Sequence, residues 1–402
     1  MTVGDRSRSI VHYVDPVEGF KGFLAFGGSD HRLAAGGCRV VPGLDETTIT
    51  ALADAMTLKQ RLLGLAVDGA KAGIDYDPAA PGKREALRRF LGFLRPHLLD
   101  RFSMGSDRGT TWSEVESIGR EVGLASVKAA VAKAQDLEDD DFRCRLAVLD
   151  AKVGGLTVGQ RRAGHAVAHA ALAACEAAGS RRRPLLASIQ GFGTLGRGAA
   201  LSLAEAGVVI TAVADEHGCV SADDGLDVHE LLATPQGTPL GVTAARVGRR
   251  EAFLEAPVDV VVLAACEHAI NDRQARDLYA RAVVVGANLG LSRATEEVLH
   301  LRNVTVVPDF VGGCGGSASM DALFGPRWCP SAEEMLAGTA RRVQALVHEI
   351  VDRARSRQLT SREAAMALAA DSAVGRGKPY GRRWAGEGLT GADHRLVGTE
   401  VR

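Results

Sequence analysis

Apolar positions recur along this chain at two periods. Short apolar runs at 10–14, 22–26 and 38–41 lie between glycines and read as strands of a small sheet. From about residue 46 to 63, Ile49, Leu52, Met56 and Leu63 return at helical spacing, and 83–99 reads as a second amphipathic helix. The acidic run 136–141, broken only by Leu137, reads as a solvated loop, and a long helix is expected over about 157–178. Apolar runs then follow at 184–189, 208–214, 258–263, 282–286 and 304–307, the first two flanking a helix-forming stretch at 199–206. Strands alternating with helices argue for an α/β protein with a parallel, doubly wound sheet. Residues 332–357 are again helical, and Thr360-Ser361-Arg362-Glu363 has the form of a capping box. The tail from Gly375, rich in Gly and Arg and carrying Trp384, reads as loosely docked. A domain boundary is expected near 140–150.

One junction in this pattern carries chemistry. The run ending at Ile189 is followed by Gln190-Gly191-Phe192-Gly193-Thr194-Leu195-Gly196, and the next apolar run ends in Asp215. This is a strand, a G-x-G-x-x-G turn, a helix, a strand and a terminal acid. The three glycines serve the tight turn, the close approach of backbone to a pyrophosphate, and close helix–strand packing. The helix N-terminus offers free N–H groups to phosphates, and the acid suits a ribose 2′-OH. Asp215 has no Arg close behind it, which favours NAD while leaving NADP admissible.

Composition narrows the field. The 402 residues suggest about two or three domains, and 46% hydrophobic content is ample for a core. Lys+Arg (48) nearly equals Asp+Glu (49), so nothing calls for nucleic acid or an anionic membrane. No apolar run approaches the ~20 residues of a membrane span, and the first residues lack a signal-peptide core. A cytoplasmic protein is expected. The seven cysteines form no C-x-x-C, and their odd number suggests buried or idle thiols rather than a disulfide framework. The histidines include no H-E-x-x-H, so no metal site is expected.

Two lysines and an aspartate stand out. Lys59 falls on the apolar face of its helix, Lys71 lies in the small-residue stretch 67–73, read as a loop, and Asp107 lies in the turn 104–111. Together in one cleft they would suit a 2-oxo acid. One cation would hold the carboxylate, while the other lysine and the aspartate move protons. Desolvation and like-charge crowding would lower a lysine pKa toward neutrality.

Several segments in order resemble the glutamate/leucine/phenylalanine/valine dehydrogenase family. Ala34-Ala35-Gly36-Gly37-Cys38-Arg39 is similar to P-A-L-G-G-x-R of the branched-chain and aromatic branch, which the chain resembles most in pattern. Met56-Thr57-Leu58-Lys59 with Lys71 resembles M-T-x-K … G-G-G-K-x-x-I, and Asp107-Arg108-Gly109-Thr110 resembles D-V-G-T. The glycine turn, Gly286-Ala287-Asn288 and 308–316 follow in the family's order. The resemblance implies a substrate and oligomerisation domain over 1–145, a Rossmann domain over 146–344, helices from 345–402 returning to the first, and an active site between them. It implies reversible conversion of an L-amino acid to its 2-oxo acid and ammonia with a nicotinamide, in a homo-oligomer. Lys59 would bind the substrate carboxylate, Lys71 polarise the carbonyl, Asp107 shuttle protons, Gly36 and Gly37 admit the substrate, and Asn288 hold substrate or cofactor. Gly191, Gly193, Thr194, Leu195, Gly196, Asp215 and Ala264 would line the cofactor.

Departures from the pattern shape the substrate expectation. Glutamate-specific members carry a lysine where this chain has Ala35 and a serine where it has Met320, and a side-chain carboxylate buried there would be uncompensated. The expected side chain is therefore apolar or non-standard, not glutamate's, as for a specialised biosynthetic enzyme. Near the nicotinamide, N-A-G-G is replaced by Gly313-Cys314-Gly315-Gly316 and a threonine by Ala163. Asp68 adds a charge near Lys71, as a surface acid or as a partner of Lys71 or of a cationic substrate. These changes leave two alternatives: an imine or oxo-acid reductase on the same scaffold, or a non-catalytic dinucleotide-binding homologue.

Overall fold

A computed structural model describes residues 8–243, 245–372 and 377–381. Two sheets organise it. The first comprises β1 (Ser9–Val14), β2 (Lys21–Phe26), β3 (Leu33–Val41), β4 (Val67–Asp75) and β5 (Phe102–Ser106), in the order β1-β2-β4-β3-β5. β3 runs parallel to both β4 and β5, while β1 and β2 are antiparallel additions. Helix α1 (Glu46–Leu62) covers one face, and α2 (Lys83–Asp100), α3 (Trp112–Glu121) and α4 (Ala129–Gln135) gather about the remaining core. Leu87, Phe90, Leu91 and Leu94 of α2 are fully buried against this sheet.

The 67–73 stretch is not a loop but the central strand β4, buried along nearly its whole length. Its small residues let a helix lie directly on it: a Cβ at Gly69 would stand 2.3 Å from Ala53 O and Thr57 N of α1. The acidic run also departs from expectation. Asp139, Asp140 and Asp141 form the first turn of α5 (Asp139–Asp150), where carboxylates complement the helix dipole, and Asp141 pairs with Arg145 at 2.9 Å.

A short hairpin, β6 (Lys152–Val153) with β7 (Leu156–Thr157), leads into α6 (Val158–Ala177). The second sheet holds β8 (Leu186–Gln190), β9 (Val209–Ala214), β10 (Cys219–Ser221), β11 (Arg246–Gly248), β12 (Val260–Leu263), β13 (Ala282–Val285) and β14 (Thr305–Val307). Its order is β11-β10-β9-β8-β12-β13-β14. The five strands from β9 to β14 in that order are parallel, and β10 and β11 extend one edge antiparallel. The chain leaves β8 first toward β9 and later returns to its other side with β12. That reversal opens a crevice at the strands' carboxyl ends, the usual place for a dinucleotide.

Around this sheet lie α7 (Thr194–Glu205), α8 (Val228–Ala233), α9 (Asp272–Asp277), α10 (Arg293–Leu301), α11 (Asp309–Gly312) and α12 (Gly315–Phe324). The long α13 (Ala332–Arg357) packs on α6 and α12, and α14 (Ser361–Asp371) packs on α13 and α1. Both begin with complete capping boxes, at Ser331/Glu334 and Thr360/Glu363. Arg342 of α13 donates to Leu63 O, so α13 also holds the end of α1.

The cysteine expectation is corrected at one pair. Cys144 and Cys329 form a disulfide with Cα atoms 6.3 Å apart, across 185 residues of sequence. Packing of α5 on the end of α12 brings them together, through Arg145 bonds to Leu323 O at 2.6 Å and Pro326 O at 3.0 Å. Four other cysteines are buried and Cys266 is exposed. No described helix is long and apolar enough to cross a membrane. Most of the tail from Gly375, with Trp384, lies outside the described residues. The part at 377–381 is docked: Lys378 donates to Gln135 O and buried Tyr380 stacks on Phe324.

Candidate active site

The two sheets meet along a seam, and the charged residues singled out from the sequence lie on it. α1 delivers Lys59 and β4 delivers Lys71, respectively 5% and 4% exposed. Thr57 locks the two elements in register, its Oγ1 accepting from Gly69 N at 3.2 Å. Asp107 follows β5, its backbone N donating to Thr110 Oγ1 at 3.0 Å. Lys71 Nζ lies 2.9 Å from Asp107 Oδ2, and Arg39 Nε donates to the same oxygen at 2.7 Å. Burial alone would raise the Asp107 pKa, but attraction to Lys71 and Arg39 outweighs it and holds the carboxyl well below the usual range. Asp107 is therefore an ionised acceptor at neutral pH. Burial, then repulsion from Lys71, lowers the Lys59 pKa.

Lys59 Nζ donates to Asn288 Oδ1 at 3.1 Å across the seam. This contact bears on the missing amide at Gly313. A Cβ at 313 would lie 2.7 Å from Asp309 O, 2.9 Å from Gly286 O and 3.1 Å from Lys59 Nζ, so only glycine fits. Asn288 places its amide against the lysine instead. The loop carrying Asn288 is held from behind: Leu289, at φ 56°, donates its N–H to Asp309 Oδ2 at 2.9 Å. Asp309 Oδ1 accepts from Arg362 at 2.7 Å, and Arg362 also makes two bonds to Glu296.

Gly36 and Gly37 lie in β3 between Lys71 and Asp107. A Cβ at Gly36 would sit 1.6 Å from Ala70 O, and one at Gly37 2.9 Å from Asp107 Cβ. Here glycine is imposed by the approach of neighbouring strands. Ala35 is half-buried and Met320 buried. Ala163 packs beneath the start of α12, its carbonyl oxygen 3.0 Å from the Cβ position of Gly315. Asp68 is neither a surface acid nor a partner of Lys71. Three positions away on a strand, it points to the opposite face, where it pairs with Arg101 at 2.6 Å and accepts from His31 N at 3.0 Å.

The glycine turn lies between β8 and α7. Gly191 has φ 93°, and a Cβ there would meet Ala264 and Ala265 at 2.8 Å. A Cβ at Gly196 would lie 1.9 Å from Gly191 O. The Cβ position of Gly193 meets only Gln236 Nε2, at 3.5 Å, so the turn is open on that side. Thr194 and Leu195 begin α7 and present its first amides there. This cradle fits a pyrophosphate. Asp215, directly after β9, uses Oδ1 to accept from His217 N at 2.8 Å and Gly218 N at 3.1 Å, and among the described residues Oδ2 has no partner.

The sequence places Arg39 and Asp309 within motifs and Arg362 within a helix cap, but assigns none of the three a role. Arg39 also reaches Glu267, after β12, at 3.7 Å, bridging the seam. The signal for Arg39 was its place in a strand beside the glycine pair. For Arg362, sequence showed only the helix cap.

Residues 154–376 match the sequence model of Glutamate/Leucine/Phenylalanine/Valine dehydrogenase, and residues 10–122 that of Glu/Leu/Phe/Val dehydrogenase, dimerisation domain. NADP-specific glutamate dehydrogenase A1 of Halobacterium salinarum is 30% identical over 306 residues, covering 75% of this chain and 71% of its own. NAD-specific glutamate dehydrogenase A of that organism is 27% identical over 310 residues, covering 75% and 67%. The hetero-hexameric glutamate dehydrogenase of Thermus thermophilus, in a Leu-bound form, superposes with a TM-score of 0.69 at 27% identity, covering 90% and 87% of the two chains. L-tryptophan dehydrogenase of Nostoc punctiforme, at 17% identity and a TM-score of 0.59 over 90% and 95%, shares the fold. The relatives by sequence are glutamate dehydrogenases, so the expected nearness to the leucine, phenylalanine and valine branch finds no support among them.

Proposed function

Because the chain belongs to the glutamate/leucine/phenylalanine/valine dehydrogenase family of NAD(P)-dependent amino acid dehydrogenases, we propose the substrate class and residue roles that its seam supports. The substrate is an L-amino acid with an apolar or non-standard side chain, interconverted with its 2-oxo acid and ammonia. The observation that carries the roles is the convergence of Lys59, Lys71 and Asp107, with Lys71 and Asp107 in contact at 2.9 Å.

The substrate α-carboxylate binds Lys59, whose buried ammonium gains from an anion what it lost on leaving water. Lys71 Nζ polarises the C2 oxygen. Asp107, kept ionised by Arg39 and Lys71, takes a proton from attacking ammonia and returns it to the departing water. Gly36 and Gly37 leave the C2 centre room beside the strand backbone. Gly191, Gly193, Thr194, Leu195 and Gly196 hold the dinucleotide phosphates, Asp215 its adenosine ribose, and Ala264 and Asn288 its nicotinamide end. When bound, the nicotinamide supplies or accepts the hydride at C2. NAD is favoured because Asp215 would repel a 2′-phosphate. Residues 1–145, with the returning helices from 345, act as the substrate and oligomerisation unit of a homo-oligomer, and 146–344 as the nucleotide unit.

Ala35 and Met320 place no charge where glutamate-specific members hold a side-chain carboxylate, which supports a substrate other than glutamate. The test is NADH oxidation with ammonium and a panel of branched, aromatic, acidic and basic 2-oxo acids, with NADPH in parallel. Turnover of a class other than 2-oxoglutarate is expected. Equal turnover of 2-oxoglutarate and branched 2-oxo acids would contradict the substrate reading. Unchanged turnover in Lys71→Ala would remove that lysine's role.

A further inference from the structure

One side chain faces the open side of the glycine turn. The middle glycine of such a turn lacks a side chain so that a pyrophosphate can come against the backbone. The Cβ position of Gly193 therefore marks the space the phosphates take. Beyond the chain neighbours of Gly193, one atom of the described residues stands within 4 Å of that position: Gln236 Nε2, at 3.5 Å. Gln236 is exposed, and among the described residues its amide has no hydrogen-bond partner. An anion lying against Gly193 would select the N–H2 end of that amide, which is the end placed there.

Gln236 is carried by a strap, residues 232–238, that leaves the end of α8 and is tied to both parts of the nucleotide site. Arg197, in the first turn of α7, donates from Nε to Phe192 O at 3.1 Å, from Nη1 to Leu232 O at 2.9 Å, and from Nη2 to Thr234 O. Its guanidinium lies over the Phe192 ring, 4.9 Å from the centroid. One side chain thus joins the glycine turn to the strap. At the other end, His217 Nε2 lies 3.2 Å from Gly237 O, and His217 N donates to Asp215 Oδ1. That end is tied to the turn bearing the ribose acid. Between the two anchors the chain turns tightly. Thr238 donates to Pro235 O from N at 3.3 Å and from Oγ1 at 2.7 Å, and Gly237 takes the third position of the turn at φ 80°. Arg197 and His217 spend polar atoms on the strap's carbonyls, whereas the Gln236 amide is left to face Gly193.

We propose that Gln236 donates from Nε2 to a phosphate oxygen of the bound dinucleotide, adding a side-chain donor to an anion site that is otherwise backbone. The inference rests on the glycine turn being the dinucleotide site. Arg197 is then a positioning residue, acting through the strap. NAD and NADP share the pyrophosphate, so the contact adds affinity for both and leaves their discrimination to Asp215.

The test titrates the full-length protein with NADH and NADPH by fluorescence and measures displacement of NADH by ADP and by adenosine. Gln236→Ala should raise the Kd of NADH, NADPH and ADP alike by about tenfold, the value of one hydrogen bond to a charged group, and leave adenosine unchanged. Gln236→Glu, which sets an anion against the phosphates, should weaken the same three ligands further. Gln236→Lys, which keeps a donor, should bind them as tightly as the wild type or more so. The side chain is exposed, so none of these changes disturbs the core. Unchanged Kd values for NADH and ADP in Gln236→Ala overturn the contact. So does a loss for NADPH alone, which would place the amide at the 2′-phosphate, or an equal loss for adenosine, which would be a general disturbance of the site. A wild-type protein that binds neither NADH nor ADP overturns the dinucleotide reading itself, a result distinct from each of these.

Discussion

The nucleotide turn and the amino acid seam are built in opposite ways. The turn comes from one contiguous segment, β8 through β9, and its surfaces are mainly backbone: Gly191 at positive φ, the open side of Gly193, and the first amides of α7. The seam is built from side chains of distant segments, with Lys59 on a helix, Lys71 on a strand, Asp107 in a turn and Asn288 in the other half of the chain. A backbone site is neutral and fails when a side chain intrudes. A charged site fails when a partner is removed and responds to pH.

The largest expected effect separates chemistry from nucleotide binding. Lys71→Ala should lower kcat by about 1,000-fold, the scale of a lost general acid–base group, while NADH binding stays near wild type in a fluorescence titration. Loss of both together would show that the two regions are not separable. In the opposite direction, Gly196→Val forces a side chain into the 1.9 Å approach to Gly191 O. It should weaken NADH binding roughly a hundredfold, since overpacking costs up to about 3 kcal/mol. An NADH Kd within twofold of wild type would mean the turn does not hold the phosphates.

A smaller effect is expected behind the seam. Arg362→Ala removes the bonds that hold Asp309 and, through Leu289 N, the loop bearing Asn288. The KM for the 2-oxo acid should rise about tenfold, the value of one charged hydrogen bond, with a lesser effect on kcat. A fall in kcat alone would place the arginine in another role.

The smallest effect is in stability. Lys128 has its pKa lowered to about 7 by burial and Arg162, against 10.5 in the unfolded chain. Between those values the unfolded state binds more protons, so this residue makes stability rise with pH from about 7 to 10. Below pH 7 both states are protonated and the burial cost is present in full. Lys128→Met should raise the Tm at pH 7 and flatten the slope in parallel urea titrations. An unchanged slope would mean that Lys128 is not a buried ammonium.

Much of the fold was legible because local patterns and tertiary burial agree. The first three strands, α1, α2, α6 and the parallel strands β8, β9, β12, β13 and β14 lie within a few residues of their sequence-based positions. Errors arose where burial overrode composition. The stretch around Lys71 looks like a loop because Gly and Ala lack strand character, yet those residues let α1 lie on β4. The acids before Phe142 suggest a solvated loop, but a helix start tolerates them through its dipole.

The sequence by itself determined most of the elements, the alternation that marks a doubly wound sheet, and the glycine turn, because each depends on residues close together along the chain. It also marked Lys59, Lys71 and Asp107 as unusual. Tertiary structure alone decided that Asp68 faces Arg101 rather than Lys71, since one strand's alternation sends the two to opposite faces. It decided that Gly313 leaves room for Lys59 while Asn288 provides the amide. It also brought Cys144 to Cys329. Such contacts join residues far apart in sequence, and no local period encodes them.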